Sequence, residues 1–273
     1  MSWFRLRPPR KPAPTLKPVA KPPPDVKASP LTPSPVNTVP APAVQPPDNP
    51  EFKPLANGQS LNGFTAGHYG YRDPKADWPI RVHDDIVLYE VRQGDAGYPG
   101  DDGNNADRAE LLSDRTFEPG KTFSAEWTWV LQTPERLLST WYGVLHLHTI
   151  GLVRPQFTQA LWVDRTTGQA WAYFPMYFGA TGQAPRAGGE LGGVENRVKV
   201  FPGQPIHWRL TWRTHETNGL YELVADGKLV GRLDGFTGFA DVAAGPRMQR
   251  GIYRGRVPQT LRTLEEGFRV EAG

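Results

Sequence analysis

The chain contains no cysteine. Disulfides and thiolate metal sites are therefore excluded, while the compartment is left open. No apolar run approaches the roughly 18 residues that a membrane-spanning helix needs, so no membrane span is expected. The stretch Met1-Ser2-Trp3-Phe4-Arg5-Leu6-Arg7-Pro8 lacks the apolar h-region of a secretory signal. Helical pattern is scarce too, with no amphipathic stripe longer than about ten residues. Excess positive charge is confined to residues 1–50. There Arg5, Arg7, Arg10, Lys11, Lys17, Lys21 and Lys27 face only Asp25 and Asp48, a local +5 within a total of +3. The rest is net −2, so no nucleic-acid partner is needed for the body to explain the basic pI.

Proline and glycine are abundant, at 29 each in 273 residues, and sixteen of the prolines lie in residues 1–50. The chain thus divides into a proline-rich arm, residues 1–52, and a body, residues 53–273. From Pro8 to Pro50 there is too little apolar surface to offset the entropy of ordering, so an extended polyproline II spacer is expected. The apolar tip of Trp3, Phe4 and Leu6 predicts an anchor that docks on another protein, such as a capsid or tail protein of a phage particle. A solvated linker is the alternative. The arm's cations suit an acidic partner, whether a capsid lining, nucleic acid or a membrane surface. The expected location is a virion or an extracellular surface, reached by lysis or assembly.

The body reads as strands. Thr122–Leu131 and Thr140–Thr149 alternate apolar or aromatic with polar residues, and Gln159–Asp164 and Gln169–Phe178 follow. In His207–Arg213, Trp208, Leu210 and Trp212 share one face, which is the period-2 mark of a half-buried strand. Tyr221–Leu233 predicts a hairpin with Asp226-Gly227 at its turn. Gln249–Arg256 and Gly267–Glu271 read as closing strands. Many strands, Gly/Pro turns and little helix predict an all-β sandwich or jelly roll.

Three stretches within those strands carry chemistry: Arg108-Ala109-Glu110-Leu111, Leu145-His146-Leu147-His148 and Gln249-Arg250-Gly251-Ile252-Tyr253-Arg254. Strand parity puts Arg108 with Glu110, His146 with His148, and Gln249 with Tyr253 on single faces. A uronate chain is cleaved by β-elimination when its carboxylate is neutralised, a base removes the C5 proton and an acid protonates the leaving O4. Arg108, aided by Gln249, suits the first task. His148 suits the base at neutral pH. Tyr253 suits the acid, or both transfers if cations lie nearby. Arg254 could reach the site by a swing of its side chain, Glu110 would brace Arg108, and Gly251 would leave room for a sugar ring.

In order and spacing these stretches resemble the jelly-roll polysaccharide lyases of the alginate-lyase and heparin/glucuronan-lyase type. That family has R-x-E, Q-x-H and K-x-G-x-Y strands; here His146 replaces Gln and Gln249 replaces Lys. The Gly203–Asp234 stretch is similar to part of the concanavalin-like jelly roll. The resemblance implies a concanavalin-like β-jelly roll binding an acidic polysaccharide, with Arg108, His148 and Tyr253 catalytic and Glu110, His146, Gln249 and Arg254 in contact with substrate. It implies no cofactor.

Several alternatives stay open. A non-catalytic glycan-binding or decoration protein would use the same face. A hydrolase would need two cleft-facing carboxylates about 5–10 Å apart, and no E-x-D-x-x-E run is present. The Asp95–Asp107 loop is rich in oxygen ligands and could hold calcium or be a solvated cleft edge. His146 and His148 could be a metal pair, although no third ligand stands out. Trp141, Tyr142, Trp171, Tyr173 and Tyr177 could stack on sugars or fill the core.

Overall fold

Trp208, Leu210 and Trp212 turn inward in the computed structural model, and His207 and Arg209 turn to solvent. The same alternation runs through Phe123–Leu131, where Phe123, Ala125, Trp127, Trp129 and Leu131 face the core. The two strands pair antiparallel with Trp208 opposite Trp127. Each such aromatic removes roughly 150–250 Å² from water, so this indole row dominates the interior. The structure describes residues 52–68, 77–97, 99–133, 136–139, 141–149, 155–178, 186–238 and 245–273. Every expectation placed on the arm lies outside these residues.

The fold is an all-β jelly-roll sandwich of two antiparallel sheets. One sheet runs in the order Lys53–Pro54, Ile80–His83, Ile86–Val91, Leu261–Ala272, Phe123–Leu131, Pro205–Arg213, Gly219–Ala225 and Lys228–Gly235. The other runs Arg186–Glu190, Pro175–Phe178, Phe157–Val163, Tyr142–Thr149, Pro246–Gly255, Ala106–Ser113, Phe64–His68 and Ser60–Leu61. Ala170–Tyr173 pairs with Phe157–Val163 and with Val198–Val200, extending the second sheet to one side. The candidate site lies on the outer face of this second sheet, and the core lies between the sheets.

Local sequence explains two features. Asp226 and Gly227 both have positive φ, at 48° and 75°, as a type I′ hairpin turn requires. The expected strand Gln169–Phe178 is broken in two at Phe174, because Pro175 has no N–H with which to continue the ladder.

Candidate active site

Register builds the site. Tyr142–Thr149, Pro246–Gly255 and Ala106–Ser113 lie side by side and are here the histidine, tyrosine and arginine strands. Tyr253 stands opposite Arg108, and Gln249 stands opposite both Leu112 and His146. Residues directly opposite in an antiparallel pair share a face. Arg108, Glu110, Gln249, Tyr253, His146 and His148 therefore belong to one surface. A cleft of about 830 Å³ opens there, lined by Arg108, His146, His148, Gln249 and Tyr253 with Asn104, Thr158, Trp141, Tyr173 and Tyr177.

Arg108 forms the floor. It is only 5% exposed, and its guanidinium lies 3.8 Å over the Tyr253 ring. It donates to Glu110 Oε2 at 3.0 Å and to Asp101 Oδ1 at 3.1 and 2.8 Å. Both carboxylates are buried. A planar guanidinium can stack and fork at once, which an ammonium cannot. Glu110 thus contacts Arg108, but it is fully buried beneath it and does not line the cleft, so it is not placed for the substrate contact expected of it. Asp101 is the partner that sequence does not announce. It sits in the short helix Pro99–Gly103, inside the acidic loop, and also accepts from the Gly97 amide at 2.8 Å.

The rest of that loop is similarly engaged. Asp95 accepts from the Arg92 amide and the Trp78 indole, at 2.7 and 3.2 Å. Asp107 accepts from the Gly94 amide at 3.0 Å and from Arg256 Nε at 2.7 Å. Asp102 accepts from Arg256 at 3.1 Å. Arginines, backbone amides and the Trp78 indole are the partners these carboxylates face. Among the described residues no cluster of three or more His, Asp or Glu side chains is arranged to hold a metal.

His146 is more enclosed than its sister. Its Nδ1 lies 3.1 Å from Thr158 Oγ1, and its Nε2 lies 3.5 Å from Glu110 Oε1. Burial pushes its pKa down from 6.5 to about 4; Glu110 opposes that shift, while Arg108 and His148 add to it. The ring is therefore neutral at pH 7 and packs beside Glu110 across the intervening tyrosine strand. Gly143 makes room for it, since a Cβ there would stand 2.4 Å from His146 Nε2. His148, two residues on, is half-buried and faces the cleft. Tyr253 is also half-buried, and its ring meets Trp141 edge-on at 4.8 Å between centroids.

Another placement also differs from that expected. Arg254 points away from the cleft into the sandwich, at 0% exposure, with Asp107 3.7 Å away. Alternation demands this, because its neighbour Tyr253 takes the cleft side. Arg254 is thus not brought together with the other candidates. Gly251 is required by the backbone. Its φ is +138°, and a Cβ would approach Ala109 O to 2.2 Å. It sits where the tyrosine strand slips register against the histidine strand. Of the proposed stacking residues, Trp141, Tyr142, Tyr173 and Tyr177 line the cleft, whereas Trp171 lies outside it under Lys199 at 5.2 Å. Tyr142 is almost wholly buried and its hydroxyl accepts from the Ser139 amide at 2.8 Å, so it serves chiefly as core.

No protein-family model matches the chain, and no curated protein matches its sequence. Solved structures do match. An endo-β-1,4-glucuronan lyase from the fungus Trichoderma reesei superposes with a TM-score of 0.55 at 12% identity, over 82% of this chain and 96% of that one. An alginate lyase from Pseudomonas aeruginosa gives 0.53 at 16% identity, over 82% and 100%. A variant of alginate lyase Aly36B, in complex with an alginate tetrasaccharide, gives 0.51 at 10% identity, over 80% and 97%. At such identities the likeness is one of fold. The chain has the jelly-roll fold seen in these alginate and glucuronan lyases.

Proposed function

We propose that this protein cleaves an acidic, uronate-type polysaccharide by β-elimination, with residues 1–52 tethering the jelly roll to a larger assembly. The observation that carries the catalytic reading is the Arg108 guanidinium lying on the Tyr253 ring at the floor of an open cleft. In the reaction the C5–H bond breaks and its electrons form the C4=C5 double bond. The C4–O4 bond breaks as that double bond forms, its electron pair leaves on O4, and the leaving oxygen takes a proton. His148 takes the C5 proton, and Tyr253 delivers one to O4. Arg108 holds the phenol in place and stabilises negative charge as it builds on its oxygen. Gln249, on the same face, donates its amide to the uronate carboxylate. Likeness in fold to alginate and glucuronan lyases supports the substrate class.

One observation favours a second reading, a glycan-binding protein without catalysis. Three of the Arg108 hydrogen bonds go to two buried carboxylates, so its charge is already balanced when substrate arrives. Hydrogen bonding to the uronate carboxylate would then rest on Gln249. Incubation of the full chain with a panel of uronate polymers separates the readings. Elimination yields unsaturated ends that absorb in the ultraviolet, whereas binding without such ends across the panel supports the second.

A further inference from the structure

The second sheet continues past the cleft, and its continuation is aromatic and cationic. Trp162 lies on the same face of Phe157–Val163 as Thr158 and Ala160, both of which line the cleft. At 39% exposure it is the one tryptophan among the described residues that stands open to solvent. Trp171 stands opposite Trp162 in the next strand, and Lys199 stands opposite Trp171 in the one beyond. The three side chains therefore form a row across three strands. Lys199 Nζ lies 5.2 Å from the Trp171 ring centre. Arg197 reaches both Trp162 and Tyr173, at 5.3 and 5.4 Å, and is held by two hydrogen bonds to Glu190. Tyr173 lines the cleft and joins the two regions.

From the tyrosine strand to Val198–Val200 is four strand spacings, about 19 Å. A partly exposed indole beside a second indole offers an apolar face that a ligand can cover. The core does not call for it, because Leu161 and Val163 fill the inward side of the same strand. An aromatic face suits the apolar face of a sugar ring, and a solvated ammonium beside it suits a carboxylate or sulfate on that sugar. Lys199 is exposed and has no carboxylate partner among the described residues.

We propose that Trp162, Trp171 and Lys199 form a second carbohydrate platform, outside the cleft, that holds the continuing chain of an acidic polysaccharide. The proposal rests on the reading of the cleft as a uronate-polymer site and adds a preference for long chains over short ones. The platform takes up polymer that overhangs the cleft, so it acts on affinity and leaves the chemical step alone.

The test is binding of the full chain to four probes: a uronate polymer, a uronate disaccharide, a sulfated galactan and a neutral glucan. Trp162→Ala combined with Lys199→Glu changes two exposed residues and should leave the melting temperature unchanged. It is expected to weaken uronate-polymer binding about tenfold or more and to leave disaccharide binding as in the wild type. Trp171→Ala should act in the same direction. Polymer binding equal to wild type in both variants would overturn the platform. So would a neutral glucan held as tightly as the uronate polymer. Platform-dependent binding of the sulfated galactan, with no binding of the uronate polymer, would keep the platform and overturn the uronate reading of the cleft. If the wild type binds no acidic polymer, both fall.

Discussion

Arg108 and Arg250 are built from the same parts and do opposite things. Both are buried, both lie on aromatic rings and both meet carboxylates. Arg108 faces the cleft, over Tyr253 and against Asp101 and Glu110. Arg250 faces the core, with its guanidinium 4.4 Å from the Phe64 ring and 4.2 Å from the Phe268 ring, and ion-paired with Glu265. Glu265 belongs to the opposite sheet and also accepts from the Tyr89 hydroxyl at 3.3 Å. Burial pushes that phenol up to about 12, so it stays protonated and can donate. Arg250 is therefore a staple between sheets, out of reach of any polymer, whereas Arg108 shapes a surface that a polymer can touch. The difference comes from parity: Gln249 and Tyr253 take one side of the tyrosine strand, Arg250 and Arg254 the other.

The comparison can be broken by substitution. Arg250→Met leaves Glu265 buried without its cation and should cost about 3–5 kcal/mol of stability. Adding Glu265→Leu should restore most of that loss, because an apolar pair of similar volume replaces the ionic one. Denaturant unfolding measures both. Catalysis well below the melting point should change little in either variant. Arg108→Lys should show the reverse balance. It loses the stacked plane and part of the fork, with about 1.5–3 kcal/mol of charged hydrogen bonding at stake. If the proposed chemistry holds, its product formation should fall roughly 10–100-fold. An R108K variant as active as wild type would remove Arg108 from the mechanism.

A smaller effect sharpens the role of His146. Above pH 6.5 its ring is neutral in both folded and unfolded chains and carries no cost. Below 6.5 the unfolded chain takes the proton first, since burial holds the folded-state pKa near 4. Stability should therefore fall as pH drops from 6.5 toward 4, by about 1–2 kcal/mol at pH 5. His146→Gln should flatten that slope, read from unfolding curves at pH 7 and pH 5. An unchanged slope would mean that another group sets the acid limit.

Much of this arrangement is legible in the sequence. Alternation alone orients Trp208, Leu210 and Trp212, and it groups Arg108 with Glu110 and Gln249 with Tyr253. The Asp226-Gly227 turn can be read from two residues. What cannot be read is whatever depends on how a loop folds back. Asp101 lies in a polar run that resembles any solvated edge, yet it is buried under Arg108. Arg254 could have been placed by the same parity that places Tyr253, because adjacent strand residues cannot share a face. The enclosure of His146 was also hidden, since it depends on Thr158 from a neighbouring strand and on the space left by Gly143. The exposed row of Trp162, Trp171 and Lys199 requires a register that no single segment encodes.

The most direct test of the central claim is Tyr253→Phe, assayed for both glycan binding and unsaturated product. Removing one hydroxyl keeps the ring on which the Arg108 guanidinium lies and takes away the proton-transfer group. The account predicts that a uronate polymer still binds with wild-type affinity while product formation falls by at least about a hundredfold. A Y253F variant that cleaves at the wild-type rate would contradict it.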